Sequence, residues 1–383
     1  MQYREIGKTG VRAGVIGLGC EHLDRKPYEQ VRETIDAALE VGITHLDIFM
    51  PGREVRENIA KALGNRRKDV TLQGHFGSTD LKKQYDISRD VKVVRRFFEE
   101  YLRLFGYIDF GMMFFIDSEK DYRGVFETDF LDYVLERKRQ GDIRHIGFSS
   151  HNPVMARKAI ETGIPEMMLF SINPAFDLHP AGIDVLERLN QEEKLDVSAF
   201  QGLDPVRAEL YRLCEQRGVG ITVMKTLGAG KLISPEHTPF AHAMTVSQCI
   251  HYALTRPAVA TVMLGCQSEE EVRQAMEYFS VSEEERDYSR VLGTLKSEFR
   301  GNCVYCGHCQ PCPSGIDIAA VNKYLDIARL DEANVPPSVR AHYLQLEHRA
   351  SECVACKSCE KRCPFGVSVI ENMRAAKKIF EGE

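Results

Sequence analysis

The chain has 383 residues, 43% of them hydrophobic, and a formal net charge of −6 at pH 7. This balance is ordinary for a globular chain and gives no hint of nucleic acid as a partner. The longest apolar run, Phe110 to Ile116, is far too short to cross a bilayer, so no membrane role is expected.

In chain order, short β-rich apolar runs alternate with amphipathic helical ones. Strands are predicted at Val15-Ile16-Gly17, Thr44–Ile48, Val70–Gln73, Ile108–Phe115, Ile146-Gly147-Phe148, Met167–Ile172, Gly220–Met224 and Val259–Leu264. The helices between them are predicted at Val31–Glu40, Val55–Leu63, Val91–Phe105, Phe130–Arg139, Met155–Thr162, Arg207–Arg217, Val246–Thr255 and Glu270–Phe279. Eight βα units in about 270 residues predict an α/β chain that opens with a (β/α)8 TIM barrel, placed at residues 1–282. A doubly wound sheet is the alternative. No GxGxxG follows an early strand, however, and Gly17-x-Gly19 reads as a tight turn at a barrel mouth.

Function in such a barrel sits at the C-terminal ends of the strands. Those ends carry Cys20, Glu21 and His22, then Asp47, His75 and Asp117, then Ser149, Ser150 and His151, and finally Asn173 and Lys225. Lys225 is the best anion-binding candidate, for a cofactor phosphate or a substrate carboxylate. His22 and His151 read as hydrogen-bonded structural residues, and Cys20 and Cys266 as packing thiols. The stretch from Ala175 to Pro205 is too long for an ordinary βα loop and has the length of a lid or a surface insertion.

Eight of the 12 cysteines lie in two runs near the end, Cys303-x2-Cys306-x2-Cys309-x2-Cys312-Pro313 and Cys353-x2-Cys356-x2-Cys359-x3-Cys363-Pro364. Three thiolates at every third position, then a fourth before proline, is the ligand pattern of bacterial two-cluster ferredoxins, in which the fourth Cys of each run serves the other cluster. On that pattern Cys303, Cys306, Cys309 and Cys363 hold one 4Fe–4S cluster, and Cys353, Cys356, Cys359 and Cys312 hold the second. Structural zinc takes spaced pairs of ligands. Disulfides need an oxidising compartment, and Met1-Gln2-Tyr3-Arg4-Glu5 begins no apolar signal segment. The first run ends x2-Cys where the common pattern has x3. Between the runs, Ile316, Ala319, Ala320, Tyr324 and Ile327 share a helical face, Pro336-Pro337 breaks it, and Ala341 to Arg349 resumes it. Residues 283–383 thus read as a linker helix and a small, mostly helical dicluster ferredoxin-like domain. With 11 basic and 11 acidic residues from 298 to 383, it shows no charge patch for a partner. Thiol-held clusters without an export signal predict a reducing cytoplasm and an anaerobic setting.

Three segments resemble the aldo/keto reductases: Gly42-Ile43-Thr44-His45-Leu46-Asp47, the run Gly141 to Asn152, and Val223-Met224-Lys225-Thr226-Leu227-Gly228-Ala229-Gly230. The resemblance spans the whole chain. The branch with a C-terminal dicluster extension is the most similar, because the first cysteine run followed by Gly315-Ile316-Asp317-Ile318 looks like its signature. The resemblance implies a barrel, a nicotinamide cofactor (NAD(P)H) bound without a Rossmann domain, and carbonyl reduction by an Asp/Tyr/Lys/His tetrad. Position by position, the Asp is Asp47, the Tyr falls on Gly52, the Lys on His75 and the His on Phe114. Without the Tyr and Lys, ordinary carbonyl reduction lacks its general acid. Where the family clamps an NADP 2′-phosphate with cations, this chain has Gly265 and Glu271, and a carboxylate repels a phosphate. Ser149, Asn173, Lys225 and Gly265 are the candidate cofactor contacts. Asp47 and His75 are the candidate catalytic pair, since an imidazole titrates near neutrality and a neighbouring carboxylate orients it.

The resulting expectation is an iron–sulfur oxidoreductase of the aldo/keto reductase type. Electrons pass between two 4Fe–4S clusters and a small-molecule or nicotinamide site at the barrel mouth, and a ferredoxin or flavodoxin is the redox partner. Two alternatives stand beside it: a nicotinamide-dependent reductase with structural or sensory clusters, and a non-catalytic electron carrier or binding scaffold with a degenerate barrel.

Overall fold

The structure is a computed structural model that describes residues 1–82, 84–179, 204–292 and 301–382. Eight parallel strands close into a barrel: β1 (Ile16–Gly19), β2 (His45–Ile48), β3 (Thr71–Phe76), β4 (Ile108–Met113), β5 (Ile143–Ser150), β6 (Met167–Ser171), β7 (Gly220–Met224) and β8 (Val259–Leu264). Neighbours around the ring follow chain order, and β8 pairs with β1. The strands read as near-continuous apolar runs because a parallel sheet covered by helices is buried on both faces; every residue of β8 is buried. β4 stops at Met113, two residues before the predicted end, because Phe115 takes φ +57° and turns the chain out of the strand.

All eight predicted helices are present, at Tyr28–Glu40, Arg53–Leu63, Val91–Phe105, Asp129–Gln140, Pro153–Glu161, Pro205–Arg217, Val246–Leu254 and Glu269–Met276. Helix Glu119–Phe126 was not predicted; it is set by a capping box between Ser118 and Asp121. Of the long stretch after β6, helix Pro174–Leu178 forms the start, and the predicted lid or insertion otherwise lies at 180–203, outside the described residues. The N-terminal hairpin Tyr3–Glu5/Arg12–Gly14 was also unpredicted. Ile6 and Ala13 share a small core with barrel residues such as Phe110, Met167 and Ala260, and Arg4 donates to the carbonyls of Leu254 and Val259.

The C-terminal module is a repeat. Each cysteine run leads through a Cys-Pro-x-Gly turn, with Gly315 at φ +69° and Gly366 at φ +64°, into a helix, Ile318–Ala328 or Val369–Phe380. The two helices pack together, and Asn372 Nδ2 donates to Asn322 Oδ1 at 2.6 Å. The helix expected from Ala341 to Arg349 instead runs Pro337–Leu344. Proline is pre-organised for a first helical position, so Pro336-Pro337 starts this helix as well as ending the previous segment.

The module packs on the barrel wall. Arg256 and Tyr288 both donate to the Val304 carbonyl, the second at 2.8 Å, and Asp287 bonds His308. Glu215 meets His342 at 2.9 Å. Arg256 belongs to the loop entering β8, so this contact lies toward the end of the barrel opposite the strand C-termini. Among the described residues, no helix is long and apolar enough to cross a membrane.

Candidate functional site

Two places hold the predicted site residues: the cysteine loops and the barrel mouth. The loops share one backbone. In Cys303–Cys309, Tyr305 (φ +60°) and Gly307 (φ +80°) are left-handed, and at the equivalent places of Cys353–Cys359 stand Ala355 (φ +52°) and Lys357 (φ +63°). That conformation costs a side chain other than glycine about 1–2 kcal/mol. Alternating handedness aims successive N–H groups into one concavity, the nest found at many anion and iron–sulfur sites.

Cys312 of the first run lines a small cavity with Cys353, Cys356 and Cys359 of the second, walled by Ile316 and Met373. At the other centre, burial pushes the Cys306 and Cys309 thiols up to about 12, and the nearby charge of Cys363 adds to the rise in both. Burial raises Cys303 too, with Cys306 and Cys309 contributing. Arg362 ties the runs together, donating to the carbonyls of Cys309 at 2.7 Å and Pro311 at 2.6 Å. None of the twelve cysteines is paired in a disulfide. Among the described residues, no three His, Cys, Asp or Glu side chains gather closely enough to hold a single metal ion. Four soft thiols spread around an apolar cavity, under a backbone nest, fit a four-iron cluster.

At the mouth, β2 and β3 are hydrogen-bonded neighbours, and their C-terminal ends bring Asp47 and His75 together. His75 Nε2 lies 2.8 Å from Asp47 Oδ1, and both residues are buried. A ring nitrogen that donates to a carboxylate leaves the other nitrogen as the atom that takes up or gives a proton. That atom, Nδ1, is buried and has no partner among the described residues. The rings of Phe49 and Phe114 stand edge-on to the imidazole, with centroids at 6.1 and 5.6 Å, and they stack on each other.

Three further residues shape the mouth. Tyr85 lies 5.1 Å from Phe49, ring to ring, and burial, with Glu21 and Asp24, pushes its phenol up to about 12. Arg89 holds the end of β4 through the carbonyls of Phe114 and Phe115, and burial lowers it to about 10. His151 is hydrogen-bonded, as its reading as a structural residue expects. Its Nδ1 lies 2.8 Å from Asp117 Oδ2, making a second His–Asp pair at the mouth. Burial alone would raise the Asp117 carboxyl, but the charge and hydrogen bonds of His151, with Ser150, hold it below its usual value. The sequence offered Asp47 and His75 as a pair on adjacent strand ends, but it carried no signal that His151 pairs with Asp117. Tyr85 and Arg89 sit in the β3 to helix Val91–Phe105 connection, which has no motif.

The predicted cofactor contacts stand at the ends of four consecutive strands, β5 to β8, and are largely occupied. Ser149 Oγ accepts from the Phe115 amide at 2.9 Å. Asn173 caps helix Pro174–Leu178 and donates to the Lys225 carbonyl at 2.8 Å, so both ends of its amide are in use. Lys225 sits half-buried at φ +61°, and among the described residues its ammonium has no ion-pair partner. The His22 ring covers Gly265 so closely that an added Cβ would stand 2.3 Å from it. After β8, the first turn of helix Glu269–Met276 is Glu269, Glu270 and Glu271, and Glu271 accepts the Gln267 amide at 2.9 Å. These acids take the helix N-terminus that would otherwise attract a phosphate. Cys20 and Cys266 are buried thiols. Burial raises both, the first well above its usual value and the second to about 12, which leaves them protonated and inert.

Comparison with known proteins adds the following. The model of the aldo/keto reductase family matches residues 15–248, and that of the 4Fe-4S dicluster domain matches residues 302–368. An uncharacterized oxidoreductase of Bacillus subtilis (strain 168), YqkF, is 25% identical over 299 residues, which cover 72% of this chain and 90% of that protein. Among solved structures, the aldo-keto reductase AKR11C1 of Bacillus halodurans, in its holo form, is similar with a TM-score of 0.58 at 19% identity, covering 76% of this chain and 95% of that one. A putative aldo-keto reductase of Pseudomonas aeruginosa follows at 0.54 and 16%, covering 72% and 95%. At such identities the structural likeness speaks for the fold.

Proposed function

We propose that this chain, which belongs to the aldo/keto reductase family and carries a C-terminal 4Fe-4S dicluster domain, is an iron–sulfur oxidoreductase that reduces a small molecule at the barrel mouth. The observation that carries the reading is the meeting of the two cysteine runs in one cavity, where Cys312 of the first joins Cys353, Cys356 and Cys359 of the second. When bound, clusters supply one-electron chemistry that side chains lack. The chain's own residues then have three tasks. The two runs hold the clusters, Cys303, Cys306, Cys309 and Cys363 at one centre and Cys312, Cys353, Cys356 and Cys359 at the other. Asp47 fixes the His75 tautomer, and His75 Nδ1 carries the proton. Phe49 and Phe114 keep water from that nitrogen until substrate enters. Thiols of this kind suit a reducing cytoplasm.

A buried row of side chains ties the first cysteine loop to the mouth. Tyr288 bonds the Val304 carbonyl and lies 5.1 Å from the Tyr252 ring. Tyr252 donates to Asp177 at 2.8 Å, on the helix capped by Asn173 at the end of β6. The residues after β8 do not fit a 2′-phosphate, so hydride transfer from NADPH is no part of this reading. The sealed Nδ1 and the occupied Asn173 favour one second reading, a non-catalytic electron carrier.

Anaerobic purification tests the first part: about eight iron atoms per chain are expected, and stoichiometric zinc with negligible iron overturns it. His75→Ala tests the second. It should slow turnover of a true substrate by about 100-fold or more, the scale of a lost general acid, with iron content unchanged. Full turnover in that variant moves the proton to another group, with His151 next in line; a cluster-loaded wild-type chain that carries electrons but turns over no small molecule favours the non-catalytic carrier.

A further inference from the structure

The two cysteine loops have the same backbone and opposite surroundings. In the first, Val304 is 1% exposed and its carbonyl is held by Arg256 and Tyr288 of the barrel side. His308, between the second and third cysteines, is held by Asp287. In the second, the equivalent valine, Val354, is 67% exposed, and Ala355, Cys356 and Lys357 are exposed beside it. The first loop shows how this backbone seats against protein: the valine goes in and its carbonyl accepts. The second presents the same surface to solvent.

Charge around the second loop is segregated. Residues 353–378 hold six basic side chains, Lys357, Lys361, Arg362, Arg374, Lys377 and Lys378, against the acidic Glu360 and Glu371, in a chain whose net charge is −6. Glu360 is spent on the Ile370 amide at 3.0 Å. Lys357, Lys361, Arg374, Lys377 and Lys378 are exposed, and among the described residues none has an ion-pair partner. Helix Val369–Phe380, which bears three of the six, packs against Ala350–Glu352 at the entry to the loop. The neutrality of the module as a whole conceals this: Glu352, just before Cys353, is paired with His348 at 2.8 Å, and most of the other acids lie farther off along the chain.

We propose that the second cysteine loop, centred on Val354 and flanked by Lys357 and Lys361, is the docking face for a small acidic electron-carrier protein. It rests on the reading of the module as a dicluster electron relay. An exposed apolar centre within a charged rim is the anatomy of a protein interface, and a small, wet contact of this kind suits transient electron-transfer complexes. Opposite charge steers the encounter and makes it sensitive to salt within a Debye length of about 8 Å at physiological ionic strength.

The test uses the full chain loaded with iron and sulfide, titrated with a purified acidic flavodoxin and followed by calorimetry at low and physiological salt. Lys357→Glu with Lys361→Glu should weaken the dissociation constant by about tenfold or more at low salt, with the difference shrinking as salt rises. Val354→Asp should weaken it by a similar factor, and the double change to arginine should restore wild-type affinity. Visible absorbance of the clusters checks each variant before titration, and Lys361→Glu alone stands in if the double variant loads poorly. Unchanged affinity in the charge-reversed chain overturns the proposal. So does an equal loss in Arg53→Glu, on the far side of the barrel. Self-association abolished by Val354→Asp, or binding to vesicles of anionic lipid in place of flavodoxin, overturns it in favour of another occupant. A chain that takes up no iron fails the underlying reading before any carrier is added, so the two failures are distinct.

Discussion

Two imidazoles on neighbouring layers of the barrel interior do opposite things. His75 faces Asp47 at the mouth, while His45, two residues below Asp47 on the same strand, accepts from Gln73 Nε2 at 2.6 Å with no carboxylate on it. Burial pushes His45 down to about 3, so it stays neutral in the folded chain. An unfolded histidine takes up a proton near 6.5, so between 6.5 and 3 the unfolded state binds more protons and stability falls as pH falls. The contribution is complete above 6.5. The difference in unfolding free energy between wild type and His45→Gln should therefore shrink on acidification through that window, by about 1.4 kcal/mol per pH unit. A constant difference from pH 7 to 5, in denaturant titrations, would show that His45 is charged in place or solvated. At this scale the sequence was readable where topology alone decides position. Asp47 and His75 end adjacent strands, so their meeting follows from strand order. Asn173 and Lys225 also end adjacent strands, but Asn173 bonds the Lys225 backbone, because Lys225 is left-handed there, and residue type does not announce that.

The cysteine loops are elements whose spacing was visible but whose geometry was not. Regular x2 spacing told of a wrapped cluster, yet the left-handed turns at Tyr305, Ala355 and Lys357 fall on residues that give no hint of positive φ. The short x2 step before Cys312 left open which centre that thiol joins. Its place in the cavity with Cys353, Cys356 and Cys359 favours the crossed arrangement. Cys312→Ser should therefore damage the centre held by the second run and spare that of Cys303, Cys306 and Cys309. Cys363→Ser should do the reverse. In reduced anaerobic protein each variant should lose a different half of the electron paramagnetic resonance signal. Loss of the same component in both, or damage by Cys312→Ser confined to its sequence neighbours, rules the crossing out. The helices were legible for a simpler reason: each has one apolar stripe against the sheet, and periodicity reports the stripe. Helix Pro337–Leu344 was misjudged because a Pro-Pro pair reads as a stop while its second proline is also a sound first residue of a helix.

At the scale of the molecule, barrel and module share one continuous apolar core, and buried polar groups pin the contact between them. Arg256 is 3% exposed, and the two N–H groups of its Nη2 are shared among Val304, Thr255 and Tyr288 while its guanidinium lies over the rings of Tyr252 and Tyr305. Nothing in the sequence marks this residue, since it sits in a short turn before β8 and its partners are up to 48 positions away. A charged donor of this kind contributes about 1.5–3 kcal/mol per well-made bond, and removing it also strips a cation from two aromatic faces. Tyr288 still bonds the Val304 carbonyl in its absence, so the loop keeps one anchor of two. Arg256→Ala should therefore loosen the module without unfolding the barrel. In wild type, heating should remove cluster absorbance and far-ultraviolet circular dichroism together, as expected for one cooperative unit. In Arg256→Ala the absorbance should be lost several degrees earlier, on the scale by which a few kcal/mol shift a midpoint. Tyr252→Phe makes the companion measurement. It removes the bond to Asp177 but keeps the ring under Arg256, so it should disturb the mouth side of the row more than the cluster side. If Arg256→Ala leaves the two transitions coincident, the module is held by its helical contacts instead, with Glu215 and His342 as the next bond to break.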